Sequence, residues 1–111
     1  MKLFDSTLST LERALDGRLL RQNVLSSNLA NVDTPGFQPQ DVDVNQVVDG
    51  GDERSAVRPA AGATAGLDGN AVDADTTLVA LAENAVLYGA AAKAAGKKLS
   101  ILRYVASDGA A

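Results

Sequence analysis

In the first third of the chain, Phe4, Leu8, Leu11, Leu15, Leu19, Leu25, Leu29 and Val32 recur mostly at steps of three or four, with Gln22 filling the one missing turn. That spacing predicts an amphipathic helix over residues 1–33. Asp5, Ser6 and Ser9 are candidate caps, and Ser9 with Glu12 has capping-box spacing. Gly17 lies in the helix interior, where it costs about 1 kcal/mol relative to Ala. The last third is more regular. Leu78, Leu81, Ala85, Tyr88, Ala92, Ala95, Leu99, Leu102 and Ala106 alternate steps of three and four, the a/d seam of a heptad helix over residues 77–106. Its centre is Ala, with Gly89 and Gly96 beside it, a surface that lets a neighbouring helix approach closely. Residues 107–111 form a short tail.

All three prolines (Pro35, Pro39, Pro59) and six of the ten glycines fall between Thr34 and Thr76. This stretch, residues 34–76, separates the helices. Asp41-Val42-Asp43-Val44 alternates like a short strand, and Asp49-Gly50-Gly51-Asp52 reads as a turn. From Ser55 to Gly69 the small residues predict extended or mobile chain and no packed subdomain. The expected fold is all-α: two long helices packed as a coiled coil, joined by an irregular acidic middle with at most a short strand or hairpin. A chain of 111 residues holds one such structural domain.

Composition narrows the function. Of the apolar residues, 20 are Ala, and there are two Phe, two Tyr and no Trp, so large core-filling side chains are scarce. Two helices of this kind leave much apolar surface wet, and other chains are expected to cover it. With no Cys and no His, there is no thiolate, imidazole or ordinary zinc site, and no cofactor is expected. No nucleophile has a base at a recognisable spacing, which speaks against an enzyme. The net charge of -4 is mild, and the acidity is concentrated in the middle. Lys93, Lys97, Lys98 and Arg103 complement the dipole of the last helix, which explains them without nucleic acid or lipid. Asp41-Val42-Asp43-Val44-Asn45 opens like a calcium loop, but Gln46 stands where Gly is needed and Asp52 where Glu is needed, so no metal site is expected. The N-terminus lacks the apolar run of a cleaved signal, and no segment is expected to reach membrane-spanning length.

At the end of the first helix stands Ser26-Ser27-Asn28-Leu29-Ala30-Asn31-Val32-Asp33-Thr34-Pro35-Gly36-Phe37. Asn28 and Asn31 suit a helix end, where their amides bond free carbonyls or a neighbouring chain. Pro35 pushes Thr34 out of the helical region, and Pro35-Gly36 fits the centre of a type II turn, after which Phe37 is placed to cover helix surface.

Residues 27 to 37 resemble, without gaps, the segment that ends the N-terminal helix in the flagellar rod and hook family. Gln40–Val44, Leu67–Asp75 and Leu81–Tyr88 look like further landmarks of that family. The resemblance implies a structural subunit whose terminal helices form a coiled-coil domain inside the rod of the bacterial flagellar basal body, in its periplasmic part. It implies export by the flagellar type III apparatus. The implied partners are other copies of the chain, neighbouring rod proteins, and the basal adaptor and export gate. Ser27, Asn28, Leu29, Ala30, Asn31, Thr34, Pro35, Gly36 and Phe37 become an assembly motif. Leu8, Leu11, Leu15, Leu25 and Leu29 become helix-packing positions with Leu78, Leu81, Ala85, Tyr88, Ala92, Ala95, Leu99 and Leu102. The competing reading is a soluble coiled-coil adaptor or export chaperone that folds on a partner.

Overall fold

The computed structural model describes the backbone of residues 2–62 and 71–110, and the side chains of 6–62 and 71–108. Six elements follow in order: α1 (Lys2–Ala30), β1 (Gln40–Val42), α2 (Val44–Val48), α3 (Glu53–Ala56), β2 (Val57–Pro59) and α4 (Ala74–Ala110). The two long helices dominate, as their periodicity predicts. They run antiparallel. Arg18 and Gln22 of α1 meet Asn84 of α4, while Leu25 and Asn28 share a cleft with Thr77 and Ala80. The molecule is a rod, 69 × 23 × 16 Å.

The helix limits differ from the expected ones at three ends. Helix α1 begins by Lys2, so the Ser9–Glu12 capping box lies two turns inside it. There the side chains serve the helix wall: Ser9 Oγ accepts from Arg13 Nη1 at 3.1 Å, and Thr10 Oγ1 donates to the Ser6 carbonyl at 3.0 Å. The side chains of Phe4 and Asp5 lie outside the described residues. At its other end, α1 stops at Ala30, with residues 31–33 in turns. Helix α4 starts after Asp73, whose Oδ1 accepts from the backbone N–H groups of Asp75 and Thr76 at 2.9 and 3.2 Å. Asp73 is thus the N-cap of α4. The helix then continues through Ser107–Ala110, where a tail is expected.

The middle segment holds the short hairpin that was expected at most, and corrects the expectation of unpacked chain over residues 55–59. It is packed, and it holds most of the core. Strands β1 and β2 pair antiparallel, Gln40 opposite Pro59, Asp41 opposite Arg58 and Val42 opposite Val57. The predicted strand through Val44 ends two residues early, because Asp43, its backbone still extended, serves as the N-cap of α2, its side chain accepting from Gln46 N–H. Val42, Val44, Val47 and Ala56 are buried together, with Leu20 and Val24 of α1 packed against them. The Asp49–Asp52 turn forms as predicted. Gly50 has φ +89, and Gly51 N–H reaches the Gln46 carbonyl at 2.8 Å, so close that a Cβ on Gly51 would sit 2.8 Å from that same oxygen. Residues 63–69 of the stretch expected to be extended, and Leu67–Asn70 of the family landmarks, lie outside the described residues.

This small module docks on a face of α1 distinct from the leucine stripe. Positions 13, 17, 20, 21, 24 and 28 share that face at helical spacing. Arg13 Nε donates to the Val48 carbonyl at 2.8 Å. Arg21 grips Asp41 through Nε and Nη2, at 2.8 and 3.3 Å. Between them Gly17 is bare, and the space a Cβ would need is occupied: Val44 Cγ1 would lie 3.1 Å from it and Val47 Cβ 3.3 Å. The helix-propensity cost of Gly17 is therefore the condition for α2 to reach the helix. Leu19, a member of the predicted stripe, falls between the two faces and is 50% exposed, while Leu20 beside it joins the core.

One further expectation fails. Helix α4 from Ala74 to Asp108 is long and apolar enough, by length and composition, to cross a membrane, and only 6% of its apolar window is buried. The Ala-rich heptads that make it a packing helix also carry few charges. Length and composition alone do not distinguish a membrane span from a helix that other helices cover.

Two outcomes follow from the docked module. Gly17→Leu improves helix propensity yet forces α2 outward, and the thermal midpoint should fall by the equivalent of about 1–3 kcal/mol; a raised midpoint would contradict the close approach. The second concerns acid. Burial alone would raise the Asp41 carboxyl, but the Arg21 hydrogen bond, the Val42 N–H and the Arg21 charge outweigh it and hold the group below its ordinary value. A lowered folded pKa stabilises the fold at pH above the unfolded value of about 3.9, and this contribution is lost as pH falls through the folded value. Thermal midpoints measured from pH 6 down to pH 2 should therefore drop more steeply for the parent than for Asp41→Asn.

Candidate functional site

The segment 27–37 is a built helix terminus. Asn31 folds back on α1, its Nδ2 donating to the Ser27 carbonyl at 2.8 Å while its Oδ1 accepts from Thr34 Oγ1 at 3.1 Å. Its backbone N–H also reaches the Ser27 and Asn28 carbonyls, both at 3.1 Å. These bonds satisfy carbonyls that the ending helix leaves free. Phe37 N–H then closes on the Thr34 carbonyl at 3.2 Å, with Gly36 at φ +78, so Thr34-Pro35-Gly36-Phe37 is the expected turn. Ser27, Ala30, Thr34, Pro35 and Gly36 are exposed, and Leu29 and Phe37 are half-buried.

Asn28 does something the sequence does not announce. It is 4% exposed, and its amide is spent on the hairpin: Nδ2 donates to the Gln40 carbonyl at 2.7 Å and Oδ1 accepts from Gln40 N–H at 3.1 Å. The side chain pairs with β1 as a neighbouring strand would, and so covers the strand's free edge. A helix-terminal Asn read as a carbonyl cap is instead the pin between α1 and the middle module.

On α4 the structure divides the expected seam. Leu81, Ala95 and Leu102 are half-buried toward α1, but Leu78, Ala85, Ala92 and Leu99 are exposed, and Tyr88 is 39% exposed. The column facing α1 is offset by one residue and reads Thr77, Asn84, Ala91 and Lys98. The apolar surface of α4 is wider than one partner helix covers, and α1 takes one side of it. On α1, Leu25 is buried and Leu8, Leu11, Leu15 and Leu29 are half-buried.

Left uncovered on α4 is a continuous strip. Leu78 and Leu99 are 51% and 54% exposed, and Ala85 and Ala92 of the same heptad column are exposed between them, while Val79, Val86, Ile101, Tyr104 and Val105 are exposed elsewhere around the helix. Gly89 and Gly96 open onto empty space, with nothing within 4 Å of where a Cβ would stand. Among the described residues, no helix makes the close approach there that the glycines allow.

Asn84 was missed as a site residue, although Gln22 opposite it stood out as the polar gap in the leucine stripe. The missed signal was an amide one position before the Ala85 heptad position. Asn84 is the largest fully buried side chain among the described residues. Its Nδ2 donates to the Arg18 carbonyl and to Gln22 Oε1, both at 2.8 Å, and its Oδ1 accepts from Arg18 Nη1 at 3.4 Å.

The acidic residues of the middle are engaged in the fold. Asp41 pairs with Arg21, and Asp43 caps α2 with Arg58 3.7 Å away. Among the described residues no group of three or more carboxylates is gathered as a metal site would require. The chemistry the surface offers is apolar contact and amide hydrogen bonding.

Comparison with known proteins agrees with this mechanical character. Residues 8–38 match the family model for the flagella basal body rod protein, a span that runs from the leucine stripe through the Pro-Gly turn. The flagellar basal body rod protein FlgB of Bacillus subtilis is 29% identical, the match covering 98% of this chain and 99% of that protein. FlgB of Yersinia enterocolitica is 54% identical over a shorter match of 39 residues. The Bacillus alignment occupies 128 positions, more than the 111 residues of this chain, so that relative carries residues that this chain lacks. FlgB of Escherichia coli is 32% identical over 76% of this chain and 80% of its own length, and on that match the chain belongs to the FlgB family of flagellar basal body rod proteins.

Proposed function

We propose that this subunit of the proximal rod joins its neighbours through the uncovered strip of α4, with the 27–37 turn fixing the angle at which α1 meets them. The single observation that carries this reading is the strip itself. Leu78, Ala85, Ala92 and Leu99 keep strict heptad spacing, yet α1 leaves them in water. An apolar seam of that length on a soluble surface is the mark of a partner. Heptad spacing specifies that the partner is helical.

Membership of a rod family implies assembly with other rod and basal-body proteins. The helices that cover the strip come from further copies of this chain and from adjoining rod proteins, and the basal adaptor and export gate are the neighbours at the base. The chain reaches the rod through the flagellar type III apparatus and does its work as a packing element, with no chemical step. An apolar α4 fits this reading without a membrane span, because the covering surface is protein. Family membership favours this over an adaptor or chaperone that folds on a partner.

Leu99→Asp separates folding from assembly. Since Leu99 is half in solvent, the isolated variant should keep its helical circular dichroism and lose no more than about 0.5 kcal/mol. Its cells should not swim, and full motility from a stable variant would refute the role given to the strip. Gly36→Val tests the turn, because a β-branched residue at φ +78 carries strain of about 1–3 kcal/mol. We expect α1 to keep its helix while motility is lost. Sedimentation of the parent chain at rising concentration should show large species appearing together with a gain in helix; a compact dimer with fixed helicity would favour the adaptor reading.

A further inference from the structure

We infer that Asn84, held by Gln22 and Arg18, is the register lock of the helix pair: it selects one alignment of α4 on the chain's own α1 from several that the apolar seam would accept.

The need for a lock is visible in the repeat. The side of α4 that faces α1 carries Leu81, Ala95 and Leu102 at heptad spacing, and α1 offers Leu8, Leu11, Leu15, Leu25 and Leu29 at similar spacing. Sliding one helix by a heptad, about 10 Å, lays leucine and alanine on leucine again. Small side chains make the seam still less selective, because they interlock less deeply than large ones. Apolar contact alone therefore leaves neighbouring registers close in energy.

The amide breaks that degeneracy. A carboxamide has two N–H donors and an acceptor oxygen. In the observed register both donors are used, on the Arg18 carbonyl and on Gln22 Oε1 at 2.8 Å each, and the oxygen accepts from Arg18 Nη1 at 3.4 Å. Asn84 is wholly buried, so water cannot replace these partners. A slide of one heptad in either direction sets Asn84 against Leu15 or Leu29 in place of Gln22, and Gln22 against Ala91 or Thr77. The buried amide then loses its partners. One polar residue at a seam position specifies register in this way at some expense of stability.

The same contact separates the two sides of α4. Toward α1 the helix carries the amide, while the strip of Leu78, Ala85, Ala92 and Leu99 carries no polar group at its seam positions. A helix from elsewhere that took the place of α1 would have to bring an amide and a basic residue four positions apart, as Gln22 and Arg18 are. The α1 side is thus restricted to one sequence, and the strip is left permissive.

The chain contains no Cys, so label pairs can be introduced on a clean background. Spin labels on Cys substituted at the exposed positions Glu12 and Lys97 report the alignment of the helices through their distance distribution. The full-length parent should give one narrow peak. Asn84→Leu and the double variant Asn84→Leu with Gln22→Leu, neither of which leaves the buried amide without its acceptor, should keep the helical circular dichroism and the thermal midpoint or raise them, while the peak broadens about twofold or splits. A single unchanged peak in both folded variants would overturn the assignment. Loss of helix in both would overturn it too, since the amide would then support folding and not alignment.

Discussion

Helix α1 has to satisfy two partners that approach from different directions, and the rest of the molecule depends on its having a separate face for each. One face is the leucine stripe with Gln22, which receives α4. The other, through Arg13, Gly17, Arg21, Val24 and Asn28, receives the strand pair and α2. The second face is narrow and mostly polar, so it holds its partner by directed bonds around one bare glycine. Take away the bare position at Gly17 and the valines of α2 have no seat; take away Asn28 and the edge of β1 is open.

The division of labour explains why so short a chain has any core. The long helices contribute length and seam, but the seam is mostly Ala, which buries little area per residue. The buried apolar side chains among those described are Leu25, Val42, Val44, Val47 and Ala56, and four of these five belong to the middle segment. The small hairpin module, and not the coiled coil, is the part with an inside.

Periodicity made the two long helices legible, and turn chemistry made the Pro35-Gly36 and Gly50-Gly51 turns legible, because each of those signals is local. The packing of the middle module was not legible. Val42, Val44, Val47 and Val48 are too few for a period, and the burial of Val44 and Val47 depends on Gly17, about 30 residues earlier in sequence. The side of the α4 seam that meets α1 was also hidden, since two adjacent apolar columns fit the same heptad count and only the Asn84 contact chooses between them. At the candidate site, the Thr34–Phe37 turn forms as its Pro-Gly pair implies, while Asn28 showed a role that required knowing where the strand would lie.

The glycines and alanines on the open side of α4 have a mechanical consequence. Gly89, Gly96, Ala85 and Ala92 have no rotamers to freeze, so a helix laid across them surrenders almost no side-chain freedom on contact. Such a contact is also stiff. Load crosses it from backbone to backbone, with no long side chains to bend in between, and a structure joined through surfaces of this kind transmits twist with little compliance.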